Sequence, residues 1–467
     1  MKRQRINWRH ATTLAVGFVA GLGTLTVIGN RVGGGGGTID AGIVAGPPDA
    51  TAPVGGGVID LNTAWQLHTI APGGVQLDGS DGVDLADIDA DGDLDVTSGY
   101  EQGQKVSVSL HPAGAAVEST WPTVIIPATQ NVTGPEDSIF FDIDRDGWKD
   151  VLIGAEGGTR IWIMYSPTSV GSLLTASAWT RVEITASVGT RWMRLAIADI
   201  DENGIFDVVA GGKEGGATDA SVSYFTSSTP RTAGSWTEHV IEPSGWVMSM
   251  YVRDVDTDGD LDIVYSDREQ IDIPGLDSSR QGIRWLESNG ASPTPSFTAH
   301  QISPVQGEYK FITLVDWEGD GDTDIVACRS NASLNQSFLY LNGGTWTSTW
   351  TSLAIAQPAS VGQCQDPKPA DIDADGDKDM VFTYAAADGA LSGVVWLKNT
   401  GTNASPVWER GEIDGSVGIK YDNVELVDID ADGDLDAITS EQHADTDGNS
   451  LVGPGLGAVW YENPRLP

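Results

Sequence analysis

Seven short segments of this 467-residue chain carry carboxylates at a spacing that suits a hard divalent cation. Each has the form D-x-D-x-D-G-x-x-D, or nearly so. The first, DIDADGDLD, puts Asp87, Asp89, Asp91 and Asp95 at positions 1, 3, 5 and 9. DIDRDGWKD supplies Asp142, Asp144, Asp146 and Asp150, and DIDENGIFD supplies Asp199, Asp201, Asn203 and Asp207. DVDTDGDLD follows with Asp254, Asp256, Asp258 and Asp262, then DWEGDGDTD with Asp316, Glu318, Asp320 and Asp324. The last two place Asp371, Asp373, Asp375 and Asp379, and Asp428, Asp430, Asp432 and Asp436.

Alternate side chains at positions 1, 3 and 5 of a tight loop turn toward one centre. Glycine at position 6 allows the sharp turn, a backbone carbonyl can add an oxygen, and the ninth residue closes the shell. Six to eight hard oxygens suit Ca²⁺, whereas Mg²⁺ keeps more of its water. Solvated acidic turns are the plain alternative, but four or five carboxylates in nine residues repel one another without a cation. Asn203 and Glu318 depart from the pattern yet keep an oxygen, so weaker sites are expected there. Up to seven structural calcium ions follow. At ten to a hundred times Kd each ion would stabilise the fold by roughly 1.4 to 2.7 kcal/mol.

The elements that hold these loops repeat with them. Successive first aspartates lie 55, 57, 55, 62, 55 and 57 residues apart. An aromatic residue with Ile five positions later runs in step, from Trp65/Ile70 and Trp121/Ile126 to Trp408/Ile413. After each loop comes a short β-like run, such as GIRWLES from Gly282, GVVWLKN from Gly393 and GAVWYEN from Gly457. Each unit thus offers four short strands, and four-stranded units repeated radially are propeller blades. The first aromatic strand precedes any loop, and the last unit stops one strand short. The reading is therefore an all-β, seven-bladed β-propeller of four-stranded blades, its ring closed by the N-terminal strand completing the last blade. Closure removes the sheet edges an open array would expose.

These loops and their period resemble the FG-GAP or VCBS repeats of the integrin α-chain head and of exported bacterial proteins. The resemblance covers about residues 64–467. It implies calcium ligands at the positions named above, but no single activity, because adhesion modules, carbohydrate binders and enzyme-associated propellers share the repeat.

Function would sit on the face opposite the calcium loops, on connections held by the rigid ring. That face is expected to carry Arg191, Trp192, Trp246, Arg268, Tyr309, Lys310, Lys368, Lys420, Tyr421, Glu441 and His443. Basic groups among aromatics suit a glycan bearing carboxylate or sulfate, or another cell-surface macromolecule. The enzymatic alternative is a polysaccharide lyase acting by β-elimination on a uronate. Arg191, Arg268, Lys310 or Lys420 would neutralise the carboxylate, and Tyr309, Tyr421 or His443 would take the proton. A structural cell-surface module is the third reading. No catalytic signature of the nucleophile-elbow, zinc-helix or phosphate-loop kind occurs.

With 66 acidic against 26 basic residues, a formal net charge of -40 argues against nucleic acid as a partner. The propeller is expected to be monomeric. Lys2, Arg3, Arg5 and Arg9 precede an uncharged apolar stretch, so residues 1–30 read as a signal peptide or a membrane anchor. Residues 31–63, rich in Gly and Pro, read as a linker to the propeller of residues 64–467. The protein is thus expected to be secreted or held at the cell surface, touching a membrane only through its N-terminal segment. Cys328 and Cys364 fall on one face of neighbouring blades and can form one bridge or remain two buried thiols.

Overall fold

The computed structural model describes residues 61–464 except 62, 75, 217–219, 269–280, 306–307, 332, 416 and 443–454. The expected N-terminal export segment, nearly all of the linker, and His443 lie outside these residues.

Seven antiparallel four-stranded sheets form the ring. The first blade runs Asp84–Ala86, Asp95–Tyr100, Lys105–Ser109 and Thr123–Ile126. The second runs Pro135–Phe141, Asp150–Ala155, Arg160–Tyr165 and Thr180–Glu183. The third has Arg191–Ala198, Asp207–Lys213, Ser221–Thr226 and Thr237–Pro243. The fourth has Val247–Arg253, Asp262–Asp267, Gly282–Ser288 and Phe297–Gln301. The fifth has Tyr309–Val315, Asp324–Asn331, Leu334–Leu341 and Thr351–Ile355. The sixth has Gln363–Ala370, Asp379–Ala385, Val394–Asn399 and Trp408–Glu412. The seventh joins Tyr421–Val427, Asp436–Glu441 and Gly457–Glu462 to Gln66–Pro72, which pairs antiparallel from Gln66↔Glu462 to Pro72↔Gly457. The N-terminal strand therefore closes the ring as its sequence position implied.

Apolar side chains collect between blades, in seven clusters that each join two neighbours. Trp65, Trp121, Trp179 and Trp236 of the aromatic/Ile pairs are buried in them, as are Ile70, Ile126, Ile184, Ile355 and Ile413. Burial of such large side chains supplies the main stabilisation of each joint.

At the axis each first strand also hydrogen-bonds to the next. Asp84 accepts from Phe140 N at 2.8 Å, and Asp137 from Leu195 N at 2.8 Å. Arg194 Nε donates to Met248 O at 2.6 Å, Tyr251 Oη to Ile312 O at 2.9 Å and Thr313 Oγ1 to Pro367 O at 2.7 Å. Asp366 accepts from Val424 N at 3.0 Å, and Asn423 accepts from Val83 N at 2.8 Å. Every joint of the ring thus has at least one side-chain bond to backbone. Cys328 and Cys364 form a disulfide between the fifth and sixth blades, with Cα atoms 5.6 Å apart. Of the two states open to the cysteines, the bridge is the one present.

Candidate functional site

All seven acidic loops connect the first and second strands of a blade, so they share one end of the ring. Each is built by the same ladder. The position-1 carboxylate accepts the position-6 glycine N–H, from Gly204 to Asp199 at 2.8 Å to Gly92 to Asp87 at 3.2 Å. The same bond recurs at Gly147, Gly259, Gly321, Gly376 and Gly433. These glycines all have positive φ, 85° to 102°. Position 4 is left-handed too: Ala90, Arg145, Glu202, Thr257, Ala374 and Ala431 have φ between 53° and 63°. In the fifth loop that position is Gly319. A non-glycine residue there costs about 1 to 2 kcal/mol, so the carboxylate ladder must hold it.

The ninth residue has a role that its place in the motif did not reveal. Asp379 Oδ1 accepts the N–H of Asn399 at 2.7 Å, tying the loop to the end of the third strand. Asp95, Asp150, Asp262, Asp324 and Asp436 do the same. Burial pushes these carboxyls up, to about 7 for Asp95 and Asp379 and about 8 for Asp150 and Asp207.

The donor set fits a hard cation. Asp87, Asp89 and Asp95 each place one oxygen within 4.8 Å of the others, and so do Asp142, Asp144 and Asp146. Asp199, Asp201 and Asp207 match them, as do Asp254, Asp256 and Asp262. Asp87 Oδ1, Asp150 Oδ2, Asp207 Oδ1 and Asp254 Oδ1 are buried and accept no hydrogen bond. Such orphaned buried carboxyl oxygens are costly unless a cation or a proton meets them.

At the opposite end, charged side chains form a network around the axis. Glu156 takes Lys213 at 2.8 Å and Arg191 at 3.1 Å. Lys213 Nζ lies 3.5 Å from the centre of the Trp246 ring, and Arg268 Cζ lies 4.0 Å from it. Arg268 pairs with Glu308 at 3.1 Å. Across the axis Lys420 lies 3.4 Å from Asp422 and 3.7 Å from Asp81. Asp81, Glu101 and Glu136 bring an oxygen each within 4.8 Å of one another. Burial and the neighbouring Asp81 and Glu156 carboxylates hold the Glu136 carboxyl well above its usual range.

A family model described as an FG-GAP-like repeat matches residues 142–210 and 316–382. Both stretches begin on the first aspartate of an acidic loop. The chain is an FG-GAP repeat β-propeller. No curated protein matches it. Among solved structures it is similar to an Agrocybe aegerita lectin described for specific recognition of non-reducing terminal N-acetylglucosamine. That likeness has 15% identity and a TM-score of 0.43, covering 72% of this chain and 81% of the lectin. It is also similar to the PQQ-bound aldose sugar dehydrogenase of Streptomyces coelicolor. There the identity is 10% and the TM-score 0.36, with 67% of this chain and 90% of that one covered. Neither likeness bears on what this chain binds.

The FG-GAP propeller redistributes the residues expected on its second face. Trp192, Tyr309 and Tyr421 are fully buried, so they pack the core and offer no stacking surface. Tyr421 Oη shares a hydrogen bond with Tyr461 Oη at 2.7 Å, and burial holds its phenol well above the usual range. Tyr309 is bonded in the same way to Tyr340. Neither is placed to take a proton from a bound sugar. Lys368 lies in a first strand, paired with Glu425 at 3.2 Å beside the axis. Glu441 is buried and accepts Ile419 N at 2.8 Å. Lys310 is almost wholly buried, and burial with nearby Arg268 pushes its amine down to about 7. Arg191, Trp246, Arg268 and Lys420 remain partly exposed at the mouth of the ring. Lys213, Glu156 and Glu308 join them. Only the ring closure could show that residues so far apart in sequence meet.

Proposed function

We propose that this chain is an exported, calcium-stabilised recognition propeller whose second face binds an anionic glycan bearing carboxylate or sulfate. The observation that carries this reading is the ribbon Arg191–Lys213–Trp246–Arg268. It runs over the third and fourth blades of a chain otherwise dominated by acid. An anionic group on the ligand would replace Glu156 or Glu308 as partner to these cations, with Trp246 fixing their spacing. Calcium would supply the positive charge that the acidic loops need, leaving the opposite face to the ligand. The disulfide and the basic-then-apolar N-terminus support an oxidising, extracytoplasmic setting. The lyase alternative loses its tyrosine bases, because Tyr309 and Tyr421 are core residues.

Native electrophoresis through gels containing polygalacturonate or dextran sulfate tests the proposal. Retardation of the wild type, reduced in Arg268→Gln and Lys213→Gln and weakened by salt, is expected. Equal mobility with and without each polymer would count against it.

A further inference from the structure

The seven loops share one ladder but not one electrostatic environment. In the second loop, Arg231 reaches over from the connection between the last two strands of the third blade. Its guanidinium bonds Asp144 Oδ2 through Nε and Asp146 Oδ2 through Nη2, the latter at 2.7 Å. Tyr165 lies beneath, 4.4 Å from ring centre to Cζ, so this cation has a built seat. In the sixth loop, Lys398 on the third strand of the same blade pairs with Asp373 and, at 3.3 Å, with Asp375. In both loops the paired residues are positions 3 and 5. Among the described residues no other loop has a Lys or Arg paired to any of its positions 1, 3, 5 and 9.

Strand register makes the contrast sharper. The residue matching Lys398, one before the N–H that the ninth aspartate accepts, is Glu287 in the fourth blade and Glu462 in the seventh. Each of these glutamates pairs with a histidine of the fourth strand, His300 at 2.7 Å and His68 at 2.8 Å. The same position beside a loop is thus cationic in one blade and anionic in two others.

We infer that Arg231 and Lys398 are resident cations that compete with calcium for the second and sixth loops, so the chain binds calcium in two classes. This rests on the calcium reading of the loops and goes beyond it. In these two loops the side chain takes up the oxygens that would otherwise face the ion. An incoming ion must displace a cation of like sign that is already paired twice. Arg231 also joins two blades, so the second loop stays braced when calcium is scarce.

Calcium bound per chain, measured by equilibrium dialysis with elemental analysis across rising free calcium, tests this. Arg231→Met and Lys398→Met should each move one ion from the weak class to the tight class, with at least a tenfold gain in affinity at that loop. The double variant should move two. A gain of bound ion cannot arise from misfolding. Glu287→Lys, at the matching position of the fourth blade, whose loop keeps all four aspartates, should move one ion the other way. Unchanged classes in the Arg231 and Lys398 variants, with calcium still bound by the wild type, would overturn this inference alone. A wild type that binds no calcium would overturn it together with the calcium reading.

Discussion

Asp436 is the extreme case of what burial does to the ninth residue of a loop. Its carboxyl is pushed up to about 9, chiefly by desolvation. Asp262 and Asp324 reach about 7 for the same leading reason. An unfolded aspartate titrates near the ordinary value of 3.8. The calcium-free folded chain therefore holds protons that the unfolded chain releases, and its stability falls as pH rises. The contribution is complete below the unfolded value and is lost as pH climbs through about 7 to 9. Thermal melts of chelator-treated protein from pH 4 to 9 should show a steadily falling midpoint. Calcium should flatten that slope, since the ion favours the charged carboxylates. The motif announced a carboxylate at each of these positions. Their bond to the third strand was not legible, because it depends on where that strand ends.

The loop as an element is strained where its sequence is not glycine. Ala90 and Ala374 sit in the left-handed region at φ 62° and 58°, held by bonds such as Asp375 N to Asp371 at 3.1 Å. Gly319 shows that the fifth loop takes the relaxed solution, beside the longer Glu318. Ala374→Gly should thus raise stability by up to about 1 kcal/mol in a denaturant titration, whereas Gly376→Ala should lower it by at least as much. The strands around the loops were readable from spacing because each repeat carries the same punctuation. His68, His239 and His300 each lie on a fourth strand, directly opposite a third-strand aromatic. They stack on Trp460, Tyr224 and Trp285. The shared pattern aromatic-x-x-His-x-Ile is the signal for that contact.

For the whole molecule, closure joins seven four-stranded sheets into one ring. Residues 66–72 complete the blade begun at Tyr421, and side chains such as Asp84, Asp137 and Asn423 bond neighbouring first strands around the axis. The ring was legible because a constant period and an unmatched strand at each end admit few other arrangements. The second face was legible only in part. Sequence placed Tyr309, Tyr421 and Trp192 on connections of that face, but they fall at the starts of first strands with their rings buried in the inter-blade cores. The mouth network joins Glu156, Lys213, Trp246, Arg268 and Glu308, which lie on different blades, and no local pattern announces it. At the other end, the acidic loops gather carboxylate clusters that could hold metal ions, calcium in the function proposed above. The most direct test is the melting temperature of the full chain against free calcium, from chelator to millimolar. The midpoint should climb continuously with calcium, each loaded loop adding roughly 1.4 to 2.7 kcal/mol at ten to a hundred times its Kd. Superimposable melting curves in chelator and in calcium would contradict it.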